Sequence, residues 1–155
     1  MRQPADNPGV RFPPPLIYAL AVIAGLFLER SRSLPIGAGV LRPALAGLLS
    51  AGFLFLMGSS VGTFRRKRTS FLPFRPATTL VIAGPYRYTR NPMYVAAALL
   101  TAAVGLWLNT WWPIILLIPA LVIIRYYVIA REESYMRRRF GAGYDSYTRQ
   151  VRRWL

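Results

Sequence analysis

The chain contains no cysteine, no histidine and only five acidic residues. Without cysteine there can be no disulfide, no thiolate nucleophile and no cysteine-held metal. With histidine missing too, the usual ligands for zinc or iron are gone, and no metal site is expected. The commonest general base near neutral pH is likewise unavailable. Scarce acid leaves a net charge of +15. In a soluble chain that excess would point to nucleic acid. Here 54% of the residues are hydrophobic, and the basic residues sit at the ends of apolar runs. Membrane topology and anionic lipid headgroups account for such charge, and no nucleic-acid partner is expected. A Gly-rich strand–turn–helix motif is also absent, so a Rossmann-type nucleotide fold is not supported.

What is present is a series of apolar runs. Phe12–Leu28 is the first, at roughly 25 Å as helix and short against a ~30 Å hydrocarbon core. It meets Glu29-Arg30 rather than a small-residue cleavage site, so it reads as a span and not as a cleaved signal. Residues 43–64 carry no charge and end at Arg65-Arg66-Lys67-Arg68. Residues 93–110 and 111–130 form two more runs joined at Asn109-Thr110. So tight a turn predicts antiparallel neighbours. Trp107, Trp111 and Trp112 cluster at that turn as an interfacial belt. The reading is an all-α integral membrane protein: one domain over 1–155, four transmembrane helices, and short cytoplasmic helices within 131–155. Residues 1–15 are polar and Pro-rich and are expected to be loosely ordered at the start.

Orientation follows from the basic residues. Residues 65–92 carry seven, the tail after residue 130 carries seven, and the 109–112 turn carries none. The long loop and the C-terminus are therefore expected in the cytoplasm. Arg30, Arg32 and Arg42 in the 29–42 loop fit this rule poorly. The second run carries small residues, with Gly58 and Gly62 in a small-xxx-small pattern. That pattern serves close helix packing, or leaves room for a cofactor or lipid chain.

Two polar blocks flank the last pair of runs. The first reads Gly84-Pro85-Tyr86-Arg87-Tyr88-Thr89-Arg90-Asn91-Pro92-Met93-Tyr94. Asn91 followed by Pro92 is a helix-start signal, with Asn placed to cap free amides. Arg87 and Arg90 beside a helix N-terminus make a site for an anion. The plain alternative is a basic membrane-flanking loop with aromatic anchors. The second block holds Glu132-Glu133, the only acidic pair, then Phe140-Gly141, Tyr144 and Tyr147. On a continuous helix Tyr126, Ile129, Glu133, Met136 and Phe140 share one face, which puts Glu133 in an apolar stripe. Glu132 lies one step round, on the face of Arg125. Ion pairing to Arg131 or Arg137 is the simpler explanation of the two glutamates. Arg125, near the end of an apolar run, either snorkels to the interface or serves a function. Arg137-Arg138-Arg139 and Arg152-Arg153 read as lipid-surface contacts.

In order and spacing, the two blocks resemble the integral-membrane methyltransferase family, which includes isoprenylcysteine carboxyl methyltransferases and phospholipid N-methyltransferases. The resemblance covers residues ~78–155. Carboxyl methyltransferase-like members usually carry His where Asn91 stands, and Asn is closer to the phospholipid branch. The resemblance implies S-adenosylmethionine as cofactor, bound by Tyr86, Arg87, Tyr88, Arg90, Asn91, Pro92, Tyr94, Glu132, Glu133, Tyr144 and Tyr147. Each type suits the ligand: carboxylates for its ammonium or ribose, arginines and helix-start amides for its carboxylate, tyrosine faces for sulfonium and adenine. Arg125 and Glu133 are the catalytic candidates, Arg125 to orient an acidic group and Glu133 to take a proton. The implied reaction is methyl transfer to a lipophilic acceptor, prenylcysteine carboxylate or phospholipid amine, entering from the bilayer. The C-terminal segment is expected to fold back over 84–94. The competing reading is a non-catalytic lipid-binding or scaffold protein of four helices.

Overall fold

The computed structural model describes residues 8–10, 12–69 and 78–154. The expected looseness of the N-terminal stretch falls mainly on 1–7, outside the described residues, as does the part of the long loop from 70 to 77. Among the described residues the architecture is all-helical, with one isolated bridge between Thr89 and Arg152 as the sole β pairing. The elements are α1 (Pro14–Ser31), α2 (Leu41–Arg66), a 3₁₀ turn (Gly84–Arg87), α3 (Pro92–Trp107), α4 (Trp112–Ile123), a π segment (Ile124–Ile129), α5 (Ala130–Phe140) and α6 (Ala142–Gln150).

Three stretches are long and apolar enough to cross a membrane: α1, α2 and the continuous helix Trp112–Phe140. The fourth expected span, α3, is apolar but has only 16 residues, roughly 24 Å of helix against a core of ~30 Å. The last span does not stop at residue 130. Nothing in the sequence breaks it before Gly141, whose φ of +51° is left-handed and disfavours a side chain. α5 thus continues the helix of the last span without a break, as the continuous-helix placement of Glu132 and Glu133 expects. The π segment was not foreseen. Its extra residue per turn rotates everything before it relative to α5. Tyr126, expected on the Glu133 face, is therefore 68% exposed while Ile129 and Glu133 are buried.

α3 is the hub. α2 packs along it, α4 returns beside it, and α1 packs mainly on α4. α1 and α2, although consecutive, scarcely touch. Two close approaches fix this arrangement. A Cβ on Gly25 of α1 would lie 2.8 Å from the Pro113 backbone nitrogen, and one on Gly105 would lie 2.9 Å from Ile114 Cγ1. Gly58 and Gly62 are different. A Cβ at either meets nothing within 4 Å, so the small-xxx-small pattern is not a helix contact here.

Of the charges that fitted the orientation rule poorly, Arg42 has a partner for its side chain, and the same loop is tied down by Glu29 and Trp112. Glu29 accepts hydrogen bonds from Thr110 Oγ1 at 2.6 Å and from the Leu34 amide at 3.0 Å. Arg42 donates to the Leu106 and Trp107 carbonyls, which is where a cation suits the end of α3. Trp112 Nε1 donates to the Arg32 carbonyl at 2.7 Å, while Trp107 and Trp111 remain largely exposed as belt residues.

Gly25→Val should lower the thermal unfolding midpoint in detergent, with an overpacking penalty of about 1–3 kcal/mol. Gly58→Ala should leave it nearly unchanged. A midpoint for Gly25→Val equal to wild type would show that α1 and α4 do not hold this close contact.

Candidate functional site

Pro92 at the first helical position starts α3, with Asn91 as its N-cap residue. The Asn91 carbonyl accepts from the Tyr94 and Val95 amides at 3.1 Å each. Its side chain does not cap the helix. Instead Nδ2 donates to the Arg153 carbonyl at 2.9 Å. The C-terminal segment lies across this turn as expected. The Arg90 amide donates to the Arg152 carbonyl at 2.9 Å, and Thr89 Oγ1 to the Arg153 carbonyl at 3.2 Å. The 84–94 turn and the C-terminal residues therefore form one unit.

Glu133 binds that unit together. Its carboxylate is 7% exposed and faces two guanidinium groups. Arg153 approaches it in bidentate fashion, Nε to Oε1 at 2.9 Å and NH2 to Oε2 at 2.7 Å. Arg90 NH1 lies 3.1 Å from Oε1. The hydrogen bond to Glu133 raises the Arg153 pKa above its already high value, so Arg153 stays charged. Glu133 is thus engaged by two guanidinium groups while it also borders the smaller cavity. Arg153, assigned by sequence to the lipid surface, is one of its two partners.

Glu132, one residue earlier, occurs in none of the described ion pairs. It accepts a hydrogen bond from the Tyr94 hydroxyl at 2.6 Å. Tyr94 is itself tied by its carbonyl to the Tyr18 hydroxyl at 3.0 Å. Glu132 stands where two cavities meet. The smaller, about 80 Å³, lies against Val81, Glu133, Tyr144 and Tyr147. The larger, about 610 Å³, runs between α1, α2 and α3, past Tyr18, Val22, Phe53, Met57, Thr101 and Val104. Phe64, Tyr86, Arg90, Asn91, Glu132 and Met136 line both.

The aromatic wall of the small pocket is tightly built. The Tyr147 hydroxyl donates to the Tyr86 carbonyl at 2.7 Å. The Tyr86 ring meets Phe64 edge-on at 5.4 Å. Gly84 turns the chain into this corner at φ +60°, and a Cβ there would lie 2.5 Å from Thr63 Oγ1. Burial pushes the hydroxyl pKa of Tyr86, Tyr144 and Tyr147 above the usual range, with the charge of Glu132 adding to the effect at Tyr86. These rings stay neutral.

Of the residues singled out by sequence, the fold brings Tyr86, Arg90, Asn91, Tyr94, Glu132, Glu133, Tyr144 and Tyr147 to these two cavities. It leaves others outside. Arg125 is exposed, its guanidinium 5.3 Å from the Tyr126 ring centroid. Tyr88 is 75% exposed, and Arg87 is exposed as well. Pro92 is buried in the start of α3 and lines neither cavity. Gly58 and Gly62 line neither. Phe64, Tyr18 and Tyr135 line the site without having been foreseen. Tyr18 and Phe64 stand in apolar runs, where hydropathy does not distinguish the face that points inward, and Tyr135 stands among the charges of α5.

The fold and the site together define a membrane-embedded helical protein with a polar pocket opening onto an apolar chamber. A family model described as phospholipid methyltransferase matches residues 41–143. The chain belongs to that family, and membership implies a methyltransferase. An uncharacterized protein of Haemophilus influenzae is 39% identical over 66 residues, which is 41% of this chain and the whole of that protein. No solved structure matches the chain.

Removing one partner from a buried ion pair costs about 3–5 kcal/mol, because the other charge is left uncompensated. Glu133→Gln should therefore loosen the C-terminal segment. Hydrogen exchange of the amides of Arg90 and residues 151–154 should quicken strongly, with Arg137→Gln as a nearly silent control. Unchanged protection in Glu133→Gln would show that the clamp does not hold this segment.

Proposed function

We propose that this protein transfers a methyl group from S-adenosylmethionine to a lipophilic acceptor, at the wall where the polar pocket meets the chamber. The carrying observation is that wall: a methyl donor and a hydrocarbon-bearing acceptor must meet there, and its side chains suit both. The donor set fits the cofactor. Glu132 is a carboxylate without a guanidinium partner among the described residues, suited to an ammonium or to ribose hydroxyls. Arg90 has a buried Nε with no hydrogen-bond partner among the described residues, and a guanidinium suits a carboxylate. The neutral rings of Tyr86, Tyr144 and Tyr147 offer π-faces to a sulfonium or an adenine.

Bound there, the cofactor supplies an electrophilic methyl group on its sulfonium. The protein's share is placement and exclusion of water. Tyr94 fixes the Glu132 carboxylate, and the Arg90–Glu133–Arg153 clamp fixes the turn that bears Arg90 and Asn91. An amine acceptor must arrive with its nitrogen lone pair free, so a proton has to leave it. Glu132 is the carboxylate at the shared wall and is assigned that proton, in place of the clamped Glu133. A carboxylate acceptor would need no base. The family's description favours a phospholipid, and hence an amine. Arg125, pointing away, has no part in this reading. The Arg-rich end of the molecule faces the cytoplasm, with Arg65, Arg66 and the 137–139 run against anionic headgroups.

Losing a hydrogen bond to a charged group in a shielded pocket costs about 1.5–3 kcal/mol, or roughly tenfold or more in affinity. Titration calorimetry with S-adenosylmethionine in detergent should show that loss for Glu132→Gln, while Arg138→Gln, exposed on α5, binds as wild type. No heat of binding to the wild-type protein, or an equal loss in both variants, would sink the reading.

A further inference from the structure

The apolar chamber is far longer than a methyl-transfer site requires. Its lining on α3 runs from Asn91 to Val104 through Tyr94, Ala97 and Thr101, one face of the helix. That is 13 residues, or ~20 Å of helix. One leaflet of the hydrocarbon core is about 15 Å deep, half of the ~30 Å core. The polar groups, Arg90, Asn91 and Glu132, are all at one end. Below Tyr18 and Tyr94 the walls are hydrocarbon, with Val22, Phe53, Met57 and Val104. The hydroxyl of Thr101 is turned back onto the Ala97 carbonyl at 3.0 Å, so it presents no free donor.

The far end is closed. Next to Phe53, a Cβ on Gly52 of α2 would lie 3.2 Å from Leu99 of α3. A turn further, Trp107 Nε1 donates to Ser50 Oγ at 3.2 Å, and Ala46 and Ala103 are fully buried. α1 closes onto α4 at Gly25 and Pro113. The side is not closed in the same way, because α1 and α2 scarcely touch between Ala19/Val22 and Phe53/Met57.

We propose that this chamber holds one hydrocarbon chain of the acceptor, which enters between α1 and α2 and ends against Val22, Phe53, Thr101 and Val104. These four residues then limit the length of chain the enzyme accepts. The inference rests on the methyl-transfer reading for the identity of the occupant as an acceptor. A lipid already in the leaflet keeps its depth on moving sideways into the chamber, so its headgroup arrives at Glu132 without leaving the interface. Gly58 and Gly62, on another face of α2, take no part.

Photo-crosslinking in lipid nanodiscs tests the proposal. The probes are two lysophosphatidylethanolamines with long saturated chains, one carrying a diazirine near the chain terminus and the other near the glycerol. The terminal diazirine should label Val22, Phe53, Thr101 or Val104, and the other should label Tyr94, Tyr135 or Met136. Labelling by both confined to Leu48, Leu54 and Phe55, on the exposed face of α2, would overturn it. Val104→Trp fills the closed end, and overpacking there should cut labelling by the long terminal probe about tenfold while a short-chain probe labels as before. Undiminished long-chain labelling in a folded Val104→Trp protein would also overturn it. Calorimetry with S-adenosylmethionine separates the two readings. Cofactor binding without inside labelling overturns the chain site alone. Inside labelling without cofactor binding supports the chain site and overturns the methyl-transfer reading alone.

Discussion

The buried carboxylate of Glu133, held between Arg153 and Arg90, is the constraint on which the site depends. An unpaired charge at that depth would not be tolerated, and two guanidinium groups make it affordable. They come from two places far apart in sequence: the turn before α3 and the last residues described. Because one carboxylate must satisfy both, the turn, α5 and the C-terminal segment are fixed relative to one another. The bonds from the Arg90 amide to the Arg152 carbonyl and from the Thr89 hydroxyl to the Arg153 carbonyl accompany that contact. So does the direction of Asn91, whose amide is drawn to Arg153 rather than to its own helix.

With Glu133 occupied, its neighbour acquires a different character. Adjacent residues on a helix point about 100° apart. Glu133 therefore meets Arg90 and Arg153, while Glu132 points to Tyr94 and the junction of the two cavities. Glu132 then meets Tyr94, and Tyr94 meets Tyr18, so the only described carboxylate near the site without an ion pair is held in place by a hydroxyl and a packed α1. The division is one of environment, with two identical side chains given separate tasks by their partners.

The chamber has a second origin. α1 cannot pack on α2 because its close contact is with α4, through Gly25 against Pro113. α2 in turn is committed to α3. The gap between them is therefore a consequence of good packing elsewhere. In a bilayer such a gap carries little hydrophobic penalty, since lipid chains match its walls.

The sequence by itself determined a good deal. Its apolar runs specify a helical membrane protein. Asn91-Pro92 starts α3, and the Asn109-Thr110 turn makes α3 and α4 neighbours. Because that turn is short, the blocks before α3 and after α4 must come together, so Tyr86, Arg90, Tyr94, Glu132, Tyr144 and Tyr147 could be named as neighbours in advance. The helix end at Gly141 and the π segment were not legible, because both depend on backbone hydrogen bonding that hydropathy does not record. Only the tertiary structure decided that Glu133 is a clamp and Glu132 the available acid. That choice turns on Arg153, distant in sequence and indistinguishable by type from the surface arginines around it. Only the tertiary structure, too, turned Arg125 outward and placed Tyr18, Phe53 and Phe64 inward, since a uniformly apolar helix carries no periodic signal to say which face meets lipid and which meets a cavity.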